Sequence, residues 1–325
     1  MDSNSIFSIK NKRDFDAASL LVFRYQYENN AVYREFCQHM GIKSADIKHP
    51  EDIPFLPIEF FRKKQLSCSS SKPELIFTSS GTTSSLPSKH LIADIDIYEK
   101  SFRKSFDQFY GSPADYCILA LLPSYLERSG SSLVYMVRDL IELSGHPKSG
   151  FYLDDLPTLA KNLQLLEEEQ TKILLIGVSF ALMDLAEQHP MKLSNTVIME
   201  TGGMKGKRKE LIREELHRYL GNAFHLKTIH SEYGMTELLS QAYSKRDGVF
   251  YSPPWMKVLI RDTEDPLSFV EPGKTGGVNI IDLANLNSCS FIATQDLGRL
   301  CPEGGFEILG RFDHADIRGC NLMVL

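Results

Sequence analysis

The stretch KILLIGVSFALMDLAEQHPMKLSNTVIM, residues 172–199, decides the fold. KILLIGV (172–178) is an unbroken apolar run of strand length, as a strand buried on both faces requires. SFALMDLAEQ (179–188) reads as a helix, and TVIM (196–199) as a second apolar strand. Strand, crossover helix, strand is the signature of a parallel α/β sheet. The alternation continues outward. CILALL (117–122) predicts a strand upstream, followed by helices over 132–143 and 156–169. Downstream, a helix over 207–220 carries Ile212, Leu216, Tyr219 and Leu220 at helical spacing, and KTI (227–229) predicts the next strand.

Beyond Tyr233 the pattern changes. VFYS (249–252), WMKVLIR (255–261), GGVNIID (276–282), SFIAT (290–294) and GFEILG (305–310) are short β-rich runs separated by Gly, Pro and Asp turns. They predict an antiparallel β-rich subdomain over 245–310, between an α/β core with a helical N-terminal region (1–244) and a short tail (311–325). At the N-terminus the first forty residues read as helix. Asp14 is the expected cap, with Phe15, Ala18, Val22 and Tyr25 on one face and a second helix over 31–40. In HPEDIPFLPIEFFRKK (49–64) three prolines forbid a regular helix, which predicts an extended, partly buried connector.

Composition narrows the function. The 325 residues are 42% hydrophobic and 24% charged, which excludes a disordered chain, a rod or a collagen-like fibre. The net charge of −6 gives no basic excess, so no nucleic-acid partner is expected. No apolar run reaches the length of a membrane span and the N-terminus lacks a signal core, so a cytoplasmic protein is expected. The six cysteines form no CxxC pair and fit no zinc-ribbon spacing.

Five segments could carry chemistry. The first is the loop from Thr78 to Lys89, within a stretch where Ser and Thr make up 12 of the 22 residues from Ser67 to Ser88. Its hydroxyls, with glycine for close backbone approach, could cradle a phosphate; a solvated linker is the alternative, although PELIF (73–77) before it reads as a strand. Ser80, Gly81, Thr82 and Thr83 form its centre. The second is Glu200–Gly206 after TVIM, where Gly202 and Gly203 make either a ligand-binding turn at a strand's carboxyl end or a plain tight turn. The third is His230–Glu237. Tyr233 beside Gly234 can offer a ring to a flat base, and Glu237 suits Mg²⁺; the alternative is a turn with an exposed acid. The fourth is Thr294–Arg299, in which Asp296 could accept ribose hydroxyls or could belong to an Asp–Gly type of turn. The fifth is the tail from Gly310, with Arg311 and with Cys320 near cations that favour a thiolate; an inert packing cysteine is the alternative.

In this order the segments resemble the adenylate-forming superfamily. The hydroxyl-rich loop is similar to its phosphate loop, YGMTE (233–237) to its YGxTE motif, TQDLG (294–298) to its ribose motif and GRFDHADIRG (310–319) to its hinge motif. Serine replaces the loop's second glycine, and Gln295 stands where glycine is usual. LLPSYLERSGSSLVYM (121–136), ETGGMKGKRKE (200–210), IHSEYGMTELLSQAYS (229–244) and RGCNL (318–322) resemble acyl-protein synthetases of the LuxE type. That likeness runs from about residue 50 to the end, with phenylacetate–CoA ligases as the next relatives. The resemblance implies the large N-terminal domain of an adenylate-forming enzyme, with parallel α/β layers and a β-rich subdomain. It also implies a chain that lacks the mobile C-terminal domain.

It implies ATP and Mg²⁺ as cofactors and an organic acid, by resemblance a fatty acid, as substrate. Ser80, Gly81, Thr82 and Thr83 would bind phosphates, and Gly202, Gly203, Tyr233 and Gly234 would line the adenine or acyl side. Asp296 would hold ribose with Arg311 assisting, Glu237 the metal, and Thr236 would lie near the α-phosphate. Cys320 would take the acyl group and pass it to an acyl reductase or acyl carrier protein. Two other readings stay open: a CoA ligase or transferase onto a carrier thiol, and a non-catalytic nucleotide- or acyl-binding homologue.

Overall fold

The computed structural model describes residues 3–69, 72–79, 86–122, 130–202 and 211–312. The chain begins with α1 (Ser3–Ile6), α2 (Lys12–Asn29) and α3 (Ala31–His39). The cap of α2 is Asn11, whose side chain accepts from the Asp14 N–H; Asp14 sits inside the first turn instead of starting the helix. The buried face of α2 is Phe15, Ser19, Val22, Phe23 and Gln26, so Ala18 and Tyr25 lie to its side. Gln26 explains the difference. Its amide donates to Asn285 O, Leu286 O and Ser290 Oγ and accepts from Ser290 N, which only a buried amide facing a turn can do. The connector holds a 3₁₀ turn (Pro50–Asp52), β1 (Leu56–Pro57) and α4 (Phe60–Lys63).

A hairpin of β2 (Leu75–Thr78) and β3 (Lys89–Ile92) follows, then α5 (Ile95–Tyr110), capped by Asp94 and ended at Gly111. The sequence reading passed over α5. The central layer is built from β4 (Cys117–Leu121), α6 (Ser132–Ser144), β5 (Gly150–Phe151), α7 (Leu156–Glu168), β6 (Ile173–Val178), α8 (Ser179–Gln188), β7 (Thr196–Thr201), α9 (Arg213–Phe224), β8 (His230–Tyr233) and β9 (Ala242–Ser244). The sheet order is β5-β4-β6-β7-β8-β9, parallel except for β9. Every residue of β4 and β6 is buried, as their unbroken apolar runs require when helices cover both faces.

Two boundaries differ from the sequence reading. The strand expected at 227–229 is His230–Tyr233, and β7 extends through Glu200 and Thr201. Both additions are polar, and each is tolerated because neighbouring elements supply partners: Thr201 Oγ1 donates to Glu232 on β8 at 2.7 Å, and Ser231 Oγ meets His217 Nε2 on α9 at 3.2 Å. Ile212, expected on the buried face of its helix, is its exposed N-cap; Leu216, Leu220 and Phe224 make the contact.

The second sheet comprises β10 (Val249–Phe250), β11 (Met256–Arg261), β12 (Gly276–Asp282), β13 (Phe291–Leu300) and β14 (Phe306–Arg311). Its order is β10-β14-β13-β12-β11, antiparallel, with β1 added in parallel on β13. One continuous cluster of buried side chains runs through both layers and the N-terminal helices. No helix among the described residues is long and apolar enough to cross a membrane.

Candidate active site

The carboxyl ends of β7 and β8 face the crossing between β13 and β14. Open α/β sheets place ligands outside the carboxyl ends of their strands. Tyr233 ends β8. Its ring packs on Phe250 and Phe306, and its hydroxyl donates to Asp296 Oδ2 at 2.7 Å. Burial first, then the Asp296 carboxylate, raises the phenol well above its usual range, so it keeps the proton it donates. Arg311 Nε donates to the other oxygen, Asp296 Oδ1, at 2.9 Å. Asp296 and Arg311 are register partners across β13 and β14.

The sequence reading placed Asp296 after a strand or in a turn; it lies inside a ten-residue strand. The ladder shifts register between Leu297 and Gly298, and the strand continues past this irregularity with Asp296 aimed at Tyr233. Asp296 is 4% exposed, whereas the Arg311 side chain is 57% exposed and forms the rim.

Gly234 follows Tyr233 where side chains crowd the backbone. A Cβ there would displace the Glu232 carboxyl end and press on Gln241 Cγ at 3.3 Å. The turn that follows is held from behind by its carbonyls. His90 Nδ1 lies 2.9 Å from Thr236 O, and Asn285 Nδ2 donates to Glu237 O at 2.8 Å. A carbonyl only accepts, so Nδ1 carries the hydrogen and Nε2 accepts from Ser288 Oγ at 2.7 Å. Burial pushes His90 down to about 4, which keeps this neutral tautomer across the working pH range. With the backbone clasped, the Glu237 carboxyl is buried beside Ser88, within the field of Arg62 and Arg311. Burial raises its pKa, and Ser88 and the two arginines oppose the rise.

The hydroxyl-rich loop joins β2 to β3, so the strand expected before it is present. Its two ends are tied together: Ser79 N donates to Ser88 O at 3.1 Å and Ser88 N to Ser79 Oγ at 2.8 Å. Arg62 Nε reaches Ser88 Oγ at 3.4 Å. The loop's closing end therefore meets Glu237 and two arginines, a cationic edge of the kind phosphates need. Ser80, Gly81, Thr82 and Thr83 lie outside the described residues, as do Gly203 and Cys320. Gly202 is exposed at the end of β7, and a Cβ there would meet nothing within 4 Å among the described residues.

The described part of the site thus joins Tyr233, Gly234, Thr236, Glu237, Asp296 and Arg311, which the motifs pointed to. It adds His90, Asn285 and Arg62, which the sequence reading missed. A lone histidine two residues past a serine-rich loop carries no pattern; its partners lie 146 and 198 residues away. Among the described residues no three His, Cys, Asp or Glu side chains group to hold a metal. His230 packs against Tyr110, with Tyr110 Oη 3.1 Å from Nδ1, and burial, helped by Lys245, pushes it down to about 4; it serves the core.

The family model for "Acyl-protein synthetase, LuxE" matches residues 4–127, so the likeness takes in the N-terminal helices that the motifs left aside. The long-chain-fatty-acid–luciferin-component ligase of Vibrio harveyi is 24% identical over 330 residues, covering 92% of this chain and 84% of that protein. Among solved structures, 2-hydroxyisobutyryl-CoA ligase with 2-HIB-AMP and CoA superposes with a TM-score of 0.68 at 13% identity, over 93% of this chain and 70% of that one. ATP-bound MatB from Rhodopseudomonas palustris gives 0.56 at 14% identity, over 74% of this chain and 49% of that one. Family model and curated relative agree with the motifs in what the chain is similar to, and the solved structures show that it has the fold of 2-hydroxyisobutyryl-CoA ligase and MatB.

Proposed function

We propose that the protein activates a carboxylic acid with ATP and passes the acyl group to a thiol. One acid oxygen attacks the α-phosphorus, the bond to the β-phosphate breaks, and pyrophosphate leaves. The resulting acyl-adenylate is a mixed anhydride; a thiolate attacks its carbonyl carbon and AMP leaves with the bonding electrons. The protein's part is to position the reactants and stabilise charge. By resemblance to the Vibrio relative the acid is a fatty acid.

The observation that carries this reading is the meeting of four residues from three separate motifs. Tyr233 and Arg311 grip Asp296 from two sides, and Glu237 lies in the field of the same arginine. In this reading Asp296 accepts the ribose hydroxyls on its remaining lone pairs, and Arg311 and Thr236 face the phosphates. Ser80, Gly81, Thr82 and Thr83 complete the phosphate cradle. Gly202, Gly203, Tyr233 and Gly234 border the adenine or the acyl group. A single buried carboxylate beside arginines suits Mg²⁺ that arrives on the nucleotide, since Mg²⁺ commonly takes one or two carboxylates plus substrate phosphates. Glu237 would hold it, and it would neutralise phosphate charge. The thiol is Cys320, with an acyl reductase or acyl carrier protein as the next acceptor. A thiol acceptor needs a reducing compartment, so we place the protein in the cytoplasm.

ATP–pyrophosphate exchange across carboxylic acids tests the first step. Exchange that depends on one class of acid and collapses in Glu237→Gln is expected. No exchange with any acid, despite measurable ATP binding, would sink the proposal. For the second step, radiolabelled acid should remain covalently on the wild type without CoA and be lost in Cys320→Ala. Label retained in that variant would move the acceptor elsewhere.

A further inference from the structure

The hydroxyl-rich loop ends in a lysine, and the fold turns that lysine away from the site. Ser88 and His90 are buried, and both face the turn after β8: Ser88 lies beside Glu237, and His90 Nδ1 meets Thr236 O at 2.9 Å. Side chains alternate along a strand. Lys89, between them at the start of β3, is therefore on the opposite face, where it is exposed.

A different cation stands at the loop's closing end. Arg62 comes from the connector, which is tied to the strand that carries Asp296. There β1 pairs with Ile292 and Ala293 of β13, Ile58 N donates to Ala293 O at 3.0 Å, and Glu59 Oε1 accepts from Gln295 Nε2. One residue before Arg62, Phe61 is buried edge-on against the His90 ring, with centroids 5.3 Å apart. Arg62 is thereby set over Ser88, and its Nε reaches Ser88 Oγ at 3.4 Å. Among the described residues this is its only hydrogen bond, and it forms no ion pair. The side chain is exposed, and no described residue engages the N–H groups on Nη1 and Nη2.

Glu237 lies in the field of both arginines, with Arg311 on the Asp296 side and Arg62 on the loop side. A nucleotide with its ribose at Asp296 then runs its phosphates past Glu237 towards Arg62. Both arginines are on the exposed rim, so the phosphates reach them from solvent.

We propose that Arg62 is a catalytic residue that binds the β- and γ-phosphates of ATP and stabilises the leaving pyrophosphate, in place of the lysine that the loop turns away. This rests on the adenylation reading and adds a residue to it. As the bond between the α-phosphorus and the bridging oxygen breaks, that oxygen keeps the electron pair. The Nη–H groups donate to the pyrophosphate oxygens on which the charge accumulates. A guanidinium suits this task because its planar fork can meet two phosphate oxygens at once.

Calorimetric titration of the full chain with ATP and with AMP isolates the contact, because AMP lacks both outer phosphates. Arg62→Ala should weaken ATP about ten- to a hundredfold, the value of charge-assisted hydrogen bonds, and leave AMP within about twofold. Arg62→Lys should recover part of the loss, and Lys89→Ala should spare both ligands. In ATP–pyrophosphate exchange with the acid that supports the fastest rate, Arg62→Ala should raise the KM for pyrophosphate and lower kcat, with the acid's KM unchanged. Equal weakening of ATP and AMP would give Arg62 a purely structural role through Ser88 and overturn the proposal. Unchanged ATP binding in Arg62→Ala, or a larger loss in Lys89→Ala, would overturn it too. Those outcomes leave the adenylation reading intact. A wild type that binds ATP yet exchanges pyrophosphate with no acid would overturn that reading and the catalytic role together.

Discussion

Two buried acids flank the turn after β8, and they are treated in opposite ways. Asp282, on β12, accepts from Leu239 N, Ser240 N, Ser240 Oγ and Ala284 N. Ser240 Oγ also meets Ser101 Oγ and the Trp255 indole N–H. Among the described residues Glu232 has one donor and two unpartnered oxygens for neighbours. Burial raises both, Asp282 to about 6 and Glu232 to about 7. Burial alone therefore does not separate a fully bonded acid from one with an oxygen to spare. The number of protein donors does. Asp282 spends its lone pairs on the backbone of the turn and fixes its shape. Glu232 keeps an oxygen in reserve.

The contrast can be broken most strongly at Asp282. Asp282→Ala strands the donors of the turn, and a loss of about 4 kcal/mol is expected. Urea unfolding would measure it, and a midpoint close to that of the wild type would show that water replaces the carboxylate at no cost. Asp282→Asn keeps one acceptor oxygen and should fall between.

At Glu232, whose raised carboxyl has a single protein donor among the described residues, substitution should stabilise instead. Its folded pKa lies above the ordinary carboxyl value of 4.5, so the folded state holds the proton longer. Below pH 4.5 the carboxyl is protonated in both states and costs nothing. As pH rises through 7 its contribution to stability is lost. Glu232→Gln removes that loss. The variant should match the wild type near pH 4.5 and exceed it by up to about 3 kcal/mol at pH 8. A variant less stable than the wild type at pH 8 would mean that the charge is matched inside the protein.

His90 sharpens the comparison on the side of activity. Its Nδ1–H holds Thr236 O, and an asparagine amide can stand in for that nitrogen, whereas glutamine places its amide near Nε2. His90→Asn should keep pyrophosphate exchange within about threefold, and His90→Gln should lose about tenfold in kcat with little change in the acid's KM. A role confined to filling space would favour the larger glutamine.

Much of the site was legible because its chemistry is local in sequence. YGMTE places a ring, a bare glycine and an acid within five residues, and the TQD and GR segments carry Asp296 and Arg311 at recognisable positions. The strand HSEY was not legible as a strand. Ser231 and Glu232 are polar at buried positions, and their tolerance depends on His217, Glu200 and Thr201 from other elements. For the same reason TQDLG read as a strand end or a turn: an Asp beside a Leu–Gly step looks like a chain reversal until Tyr233 and Arg311 close on its side chain. Helix α5 escaped because aromatic and charged residues dominate it, with Phe102, Phe106 and Tyr110 supplying a buried face that an apolar-run reading does not register.

By itself the sequence determined the parallel layer, since unbroken runs such as CILAL and ILLIGV can be buried only inside a covered sheet. It also determined the order of the motifs along the chain. Only the tertiary structure decided which acids spend their oxygens on the protein's own donors and which keep one spare. Asp282, Glu232, Glu237 and Asp296 are similar carboxylates in a linear chain. Their roles depend on how many donors, cations and oxygens the fold brings within hydrogen-bond or Coulomb range, and those groups come from distant elements.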